Sequence, residues 1–167
     1  MPSLLFFSSV KPMEKFIVCL WMIFCFLILS YKLGEVPPYH ADENFYVESS
    51  LSMVESGDYI TPVYHEKKRF AKPILYYWMV VSSYEIFGIS LRSARLPSVL
   101  FGVLSIGLVF LLGCRLFDNR VGLLSAFILP SIYLHFQISR WSTTDMALSF
   151  FVLLALYFFV LLFQTNF

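Results

Sequence analysis

The chain has 167 residues, of which 59% are hydrophobic and only 14% are charged. Soluble domains carry roughly 45–50% apolar and about 25% charged residues, so this composition excludes an ordinary water-soluble protein. The formal net charge of +1 gives no reason to expect a nucleic acid as a partner.

The charged residues are concentrated in one segment. Fifteen of the 23 lie between Lys32 and Arg95, and the 72 residues after Arg95 carry only five. Ionisable side chains are costly in hydrocarbon, so the charge-free runs on both sides predict membrane spans, and the polar segment is the part that meets water. We therefore expect any chemistry to lie in that segment or to face it.

Four charge-free runs predict membrane-spanning helices, at residues 16–31, 96–114, 121–139 and 146–164. A span needs about 20 residues, with roughly 17 as the lower limit. The first run is therefore slightly short, unless Lys15 and Lys32 extend their side chains to the two membrane surfaces. The alternative is a cleaved signal peptide, but no small-residue cleavage site precedes Tyr31. A retained first span makes residues 1–15 a cytoplasmic N-terminus.

Two further helices are predicted within the polar segment, both lying along the membrane interface. The first covers about residues 42–56, where Asp42 can cap the helix and an apolar stripe follows. The second covers about 73–88 and opens at Pro73. This run is long enough to cross a membrane, but Glu85 interrupts it and its aromatic residues favour an interface.

The interfacial interpretation fixes which residues share a side of the membrane. Two crossings then separate Asp42 from Asp145, so both face the same side, whereas a crossing by the second helix would place them on opposite sides. Basic residues near Lys11 and in the Arg115–Arg120 turn are expected to be cytoplasmic. Residues 32–95 then form an external loop.

Several stretches, in this order along the chain, resemble a known family. They are HADENFYVESS, SGDYITP, RFAKPILYYW and FGISLRSARLPS, and SRWSTTDMALSFF is similar to the family's second acidic site. The set resembles the glycosyltransferases that use undecaprenyl- or dolichyl-phosphate sugars, including the aminoarabinose transferases that modify lipid A and the protein O-mannosyltransferases. The resemblance covers roughly residues 35–151 and implies the all-α, multi-span fold called glycosyltransferase class C.

The resemblance implies an activity and a location. Such an enzyme moves a sugar from a polyprenyl-phosphate donor to a lipid or protein acceptor on the external face of a membrane, here expected to be the bacterial inner membrane. It requires no cofactor, and a divalent metal stays an unsupported option. Family members are usually several hundred residues long, so the chain is expected to be an N-terminal part. Phe45 stands near a basic position of the aminoarabinose branch, which leaves the substrate subtype open.

Three acidic residues are the catalytic candidates. By resemblance, Asp42 is the expected general base, because the reaction needs a carboxylate within about 3 Å of the acceptor hydroxyl. Glu43 is expected to orient the site, and Asp145 to support it from the opposite wall. The local alternative is that Asp42 and Asp145 only cap their helices.

Three basic residues are the candidates for the donor phosphate. The departing lipid phosphate gains negative charge and needs cations to hold it. Lys72, Arg69 and Arg140 are expected to serve, and arginine suits a two-bond grip on phosphate. The alternative for Arg69 is that it forms, with Lys67 and Lys68, a surface that is solvated or binds lipid headgroups.

No metal site is predicted. The cysteines lie inside hydrophobic runs without a metal-binding spacing: Cys19, Cys25 and Cys114. His40 and His65 flank the loop and with Asp42 offer ligands for a divalent ion, but their spacing matches no metal motif. His135 is expected to hydrogen-bond inside the helical bundle.

Two other classes of function remain open. A transporter or channel fragment predicts functional charges within the spans, whereas the charges here lie at the span ends. A non-catalytic membrane scaffold, or a pseudoenzyme, would carry the same residues without activity. The reading frame after Phe167 separates these cases, because further spans support an enzyme.

Overall fold

The computed structural model describes residues 11–38 and 41–165. Helices dominate this part of the chain: α1 (Pro12–Ser30), α2 (Ala41–Ser56), α3 (Ile74–Phe87), α4 (Leu91–Leu116), α5 (Asn119–Ile128), α6 (Tyr133–Ile138) and α7 (Thr144–Thr165). A short antiparallel hairpin of β1 (Val63–Tyr64) and β2 (Lys67–Lys68) lies between α2 and α3. The predicted all-α fold class is confirmed, with this hairpin as an addition.

Within the described residues, three helices are long and apolar enough to cross a membrane: Pro12–Ser30, Leu91–Leu116 and Thr144–Gln164. Most of the large side chains that α1 and α7 expose are apolar, as lipid contact requires. α1 starts four residues before the predicted span 16–31. Pro12 stands at its first turn, where proline is tolerated, and the Glu14 carboxylate accepts a hydrogen bond from the Lys11 N–H (3.1 Å).

The segment predicted as one span over 121–139 is not a continuous helix. α5 ends at Ile128, a 3₁₀ turn covers Leu129–Ser131, and α6 follows Ile132, whose backbone is extended (φ −73°, ψ 120°). Pro130 accounts for the break, because proline has no N–H to donate and its ring clashes with the preceding helical turn.

α5 and α6 nevertheless run back along α4. Near the end of α4, a Cβ on Gly113 would lie 2.7 Å from the Cα of Gly122 in α5. Nearer the beginning of α4, a Cβ on Gly102 would lie 2.8 Å from the Cβ of Ser139, which directly follows α6. Small residues allow such close approach between helices in membranes. The chain thus returns toward the beginning of α4 before α7 starts.

α2 and α3 pack on each other and on the beginning of α4. Their shared core contains aromatic and aliphatic side chains: Tyr46, Met53, Tyr76, Tyr77, Val80, Val81, Tyr84 and Ala94. α3 has 14 residues and is therefore about 21 Å long. This is shorter than the roughly 30 Å of a bilayer's hydrocarbon core, so the geometry supports an interfacial helix.

The close contact between α4 and α5 gives a stability prediction. Gly113→Ala should lower the free energy of unfolding by about 1–3 kcal/mol, because the new methyl group would collide with the backbone of α5. Thermal unfolding of the purified chain in detergent measures the effect.

Gly107→Ala is the matched control on the same helix. Its Cβ would meet only the end of the flexible Met22 side chain, at 3.3 Å. Alanine also has a higher helix propensity than glycine, so this variant should unfold at or above the parent temperature. Equal unfolding temperatures for the two variants would contradict the packing described above.

Candidate active site

A buried ion pair joins α2 to α4. Arg95 Nε donates to Glu43 Oε1 (2.6 Å) and Arg95 Nη2 donates to Glu43 Oε2 (2.9 Å), which is the parallel two-bond geometry that suits guanidinium and carboxylate. Glu43 is fully buried and Arg95 is 3% exposed. Charges at this depth are tolerated only when they are paired and hydrogen-bonded.

The remaining hydrogen bonds of the pair reach two more segments. Arg95 Nη1 donates to the carbonyl oxygens of Leu33 and Val36, in the linker after α1. The backbone N–H of Ser142, just before α7, donates to Glu43 Oε1 (2.9 Å). The pair therefore holds together α2, α4, the α1–α2 linker and the start of α7. Both Glu43 oxygens accept hydrogen bonds, and these contacts support the orienting role rather than proton transfer.

Asp42 and Asp145 come to the same end of the bundle, around Tyr46. The Tyr46 hydroxyl donates to Thr144 Oγ1 (3.2 Å). Burial raises the pKa of Tyr46 to about 12, and the carboxylates of Asp42 and Asp145 act in the same direction, as neighbouring negative charges do. Asp42 is half-buried, whereas Asp145 is exposed and accepts a hydrogen bond from Thr143 Oγ1 (3.0 Å).

Neither aspartate stands at a helix cap. α2 begins at Ala41 and α7 begins at Thr144, so Asp42 and Asp145 lie inside the first turns of their helices. A negative charge there is favoured by the helix dipole. The capping alternative is therefore reduced to a favourable position for a negative charge.

A second hydrogen-bonded layer lies beneath these carboxylates. The buried Tyr76 hydroxyl is 2.6 Å from Ser98 Oγ and donates to Ser142 Oγ (3.5 Å). Its ring packs edge-to-face against Tyr46, with 5.1 Å between the ring centroids. The layer links α3 and α4 to the turn that precedes α7, and it supports Tyr46 from below.

Arg140 lies at the end of α1. Its Nη1 donates to the carbonyl oxygens of Leu29 (2.8 Å) and Ile28 (3.3 Å). The last carbonyls of a helix lack partners within the helix, so this arginine caps α1. Its guanidinium also lies 5.4 Å from the centre of the Phe136 ring. The structure gives Arg140 a structural role, and its expected binding of phosphate stays a prediction.

The other two predicted phosphate ligands lie close together in sequence but in different settings. Lys72 is exposed in the linker before α3. Arg69 is half-buried, and its guanidinium lies 3.6 Å from the centre of the Phe45 ring, one turn of α2 after Asp42. Lys67 and Lys68 are exposed on β2. Arg69 is therefore the cation of this cluster that packs against the helix of the candidate base.

The histidines show no joint site. His40 lies outside the described residues. His65 Nε2 lies 3.7 Å from Glu48 Oε2, and both side chains are largely exposed. His135 is buried on α6. Over residues 11–38 and 41–165, no three histidine, cysteine, aspartate or glutamate side chains are grouped as a metal site requires.

An apolar cavity lies apart from these residues. It has a volume of about 800 Å³ and lies between α3 and α4. Its walls include Trp78, Arg92 and Leu100. None of the six predicted site residues lines it, so the site rests on the carboxylates and cations rather than on this cavity.

Arg95 is the residue that sequence reasoning missed. In the sequence, Arg95 is a single charged residue just before an apolar run, and it marks one end of a predicted membrane span. Its partner, Glu43, is 52 residues away, so no local pattern reveals the pair. The stretch FGISLRSARLPS contains this arginine, and the resemblance was the only available pointer to its importance.

The bundle and its polar end define a class of protein. Helices long and apolar enough to cross a membrane, two shorter helices after the first of them, and two aspartates near one end of the bundle fit the class C glycosyltransferase fold that the motifs predicted.

Comparison with known proteins identifies the family. Residues 71–167 match the family described as dolichyl-phosphate-mannose-protein mannosyltransferase, and the chain belongs to this family. An uncharacterized protein of Aquifex aeolicus is 32% identical over 146 residues, which cover 87% of this chain and 29% of that protein. The undecaprenyl phosphate-alpha-4-amino-4-deoxy-L-arabinose arabinosyl transferase of Pseudomonas paraeruginosa is 34% identical over 116 residues, which cover 69% of this chain and 21% of that protein.

Crystal structures of ArnT from Cupriavidus metallidurans share the fold. The apo state and the state bound to undecaprenyl phosphate each match with a TM-score of 0.79 and 29% identity. The matches cover 87% and 86% of this chain, but only 27% and 26% of that chain. The family and fold predicted from the motifs are confirmed. The chain spans less than a third of the length of these relatives.

The buried ion pair gives a second stability prediction. Arg95→Ala should lower the free energy of unfolding by about 3–5 kcal/mol, because Glu43 would keep a buried charge without its partner. Arg95→Lys should be intermediate, since lysine cannot make the two parallel bonds. Thermal unfolding in detergent and the yield of folded chain measure both.

The exposed pair of Lys32 and Glu35 (3.2 Å) provides the control. Glu35→Gln should unfold at the same temperature as the parent chain, because exposed ion pairs contribute little to the free energy of unfolding. If Arg95→Ala also unfolds at the parent temperature, the buried pair does not hold the four segments together.

Proposed function

We propose that this chain carries the acceptor-activating part of a membrane glycosyltransferase that moves a sugar from a polyprenyl-phosphate donor to a hydroxyl of a lipid or protein acceptor. The observation that carries the proposal is the assembly of Asp42 and Asp145 around Tyr46, beside the pair that anchors their two helices. Family membership and the undecaprenyl phosphate bound to ArnT from Cupriavidus metallidurans support the choice of donor.

Asp42 is the proposed general base. It lies next to Glu43 in sequence, so the buried pair fixes its helix, while its own carboxylate is only half-buried. In the proposed reaction this carboxylate takes the proton of the acceptor hydroxyl. The acceptor oxygen then bonds to the anomeric carbon of the sugar, the bond from that carbon to the phosphate oxygen breaks, and polyprenyl phosphate leaves with the bonding electrons.

The departing phosphate needs positive charge nearby. Negative charge builds on the leaving oxygen in the transition state, and fixed cations lower its energy. Arg69, Lys72 and Arg140 are the proposed source of that charge. Asp145 is proposed to support the site from the side of α7, where it is exposed and close to Tyr46.

We propose that this end of the bundle faces the outside of a bacterial inner membrane. α4 has 26 residues and is therefore about 39 Å long, enough to cross about 30 Å of hydrocarbon. Arg95 is near its beginning and the Arg115–Arg120 turn is at its far end. Short basic loops favour the cytoplasm, which leaves Asp42 and Asp145 outside.

The base assignment predicts a large loss of turnover. In the protein that contains this chain, Asp42→Asn should lower the rate by roughly 10²–10⁴, because the amide keeps the shape of the side chain but cannot accept the proton. The measurement is transfer of a radiolabelled sugar from its polyprenyl phosphate to the acceptor.

Glu55→Gln on the same helix is the matched control, because Glu55 is exposed near the helix end. It should keep the parent rate. If Asp42→Asn also turns over at the parent rate, Asp42 is not the base, and Asp145 becomes the next residue to replace.

The proposed orientation predicts which positions are accessible from outside. Single cysteines replace residue 118 or 145 after the native ones are removed: Cys19, Cys25 and Cys114. In intact cells, an impermeant thiol reagent should label position 145, and position 118 should react only after the membrane is opened. The reverse pattern would contradict the orientation.

A further inference from the structure

Arg69 is separated from the other cations of its cluster by its packing against α2. Its guanidinium carbon lies 3.6 Å from the centre of the Phe45 ring. The Arg69 N–H donates to the carbonyl oxygen of Pro62 (2.8 Å), which fixes the backbone from which the side chain starts. Lys67 and Lys68, which precede it, remain exposed.

The hairpin holds the Phe45 ring from a second direction. Tyr64 of β1 packs edge-to-face against Phe45, with 4.7 Å between the ring centroids. The turn between the strands is formed by His65 and Glu66, whose φ angles of 47° and 64° are those of a tight two-residue hairpin turn. Tyr64 on β1 and Arg69, which directly follows β2, therefore both contact Phe45 from one tightly closed hairpin.

Tyr77 of α3 is the next neighbour of this guanidinium. Burial raises the pKa of Tyr77, whereas a side-chain hydrogen bond with Arg69 and the positive charge of Arg69 lower it. Tyr77 is fully buried, and within the described residues neither its hydroxyl nor Arg69 Nε has a further hydrogen-bond partner. A tyrosine hydroxyl that accepts a bond from arginine still has a proton to donate, so the two side chains together can meet one more oxygen atom.

Asp42 belongs to the same neighbourhood. Its carboxylate also raises the pKa of Tyr77, so Asp42 and Arg69 are both close to one buried hydroxyl. The other candidate cations are placed differently. Arg140 donates to the end of α1, and Lys72 is exposed. Arg69 is therefore the cation that shares its surroundings with the proposed base.

We propose that Phe45 is a positioning residue whose ring holds the Arg69 guanidinium beside Asp42, where Arg69 binds the phosphate of the donor lipid with support from the Tyr77 hydroxyl. This inference rests on the proposed function and names the phosphate subsite. A guanidinium stacked on a ring keeps its N–H edge directed outward in one plane, and that edge makes two parallel bonds to a phosphate. Phe45 thus acts on the donor through Arg69, without a polar atom of its own.

The test compares an aliphatic with an aromatic replacement of Phe45. The dissociation constant of undecaprenyl phosphate is measured for the chain in nanodiscs. Phe45→Leu should weaken binding by about 3- to 30-fold, the range of a cation–π contact, and Phe45→Trp should restore it. Arg69→Gln should weaken binding by about 10- to 100-fold, and adding Phe45→Leu to it should change little. Lys67→Gln, which removes one exposed charge from the same hairpin, should bind as the parent does.

Tyr77→Phe separates ligand binding from packing. It removes the hydroxyl that contacts Arg69 and keeps the ring, so a purely structural role predicts parent affinity with lower thermal stability. The proposal predicts weaker binding of undecaprenyl phosphate as well. Tyr84→Phe on the same helix is the control, because its hydroxyl donates to the carbonyl oxygen of Val47 (3.4 Å) and should not affect the donor.

The outcomes are distinct. Parent affinity in Phe45→Leu, or no rescue by Phe45→Trp, would overturn the positioning role while the donor still binds. If the parent chain binds no undecaprenyl phosphate, the proposed donor is contradicted instead. A double-mutant cycle of Phe45→Leu and Arg69→Gln in thermal unfolding then still tests the stack. Strictly additive effects would show that the two side chains are not coupled, and would overturn the inference without any ligand.

Discussion

Glu43 and Arg95 bury opposite charges at the point where four segments of the chain meet. Removing either partner would leave a buried charge unpaired, which is strongly destabilising, so the pair holds the segments in one arrangement. The cost is balanced by five hydrogen bonds, including those to Leu33, Val36 and Ser142. Two of these contact points are close to candidate residues: Glu43 directly follows Asp42 in α2, and Ser142 lies shortly before Asp145 at the start of α7. The pair therefore ties together the two segments that carry the aspartates.

This arrangement divides the acidic residues by role. Glu43 is saturated by donors, so it holds the structure, whereas Asp42 is half-buried and Asp145 is exposed. The cations are divided in a similar way. Arg95 is paired with a carboxylate, and Arg140 donates to backbone carbonyls. The Arg69 guanidinium instead lies 3.6 Å from the centre of the ring of Phe45, which is on the helix of the proposed base. Glu43 and Arg95, which hold the fold together, are more deeply buried than the charges proposed to take part in the reaction.

The sequence predicted the features that depend on local composition. Three of the four charge-free runs coincide with helices long and apolar enough to cross a membrane, and the ordered motifs identified the family. Features that depend on distant contacts were not visible. Glu43 and Arg95 are 52 residues apart. Arg140 was expected to bind phosphate because arginine suits that group, and its contacts with α1 were missed because they lie more than a hundred residues away. The break at Pro130 was missed because hydropathy measures transfer to lipid, not the loss of a backbone donor. Phe45 was noted as a departure, but only the fold brings Arg69 onto it.

The most direct test of this account asks whether the buried pair holds the two aspartates together. In a chain without native cysteines, cysteines at positions 42 and 145 are treated with a short bifunctional thiol reagent, and the cross-linked fraction is measured. We expect efficient cross-linking with Arg95 in place and its loss in the Arg95→Ala background. Equal cross-linking in both backgrounds would show that the pair does not organise the site, and no cross-linking in either would contradict the site itself.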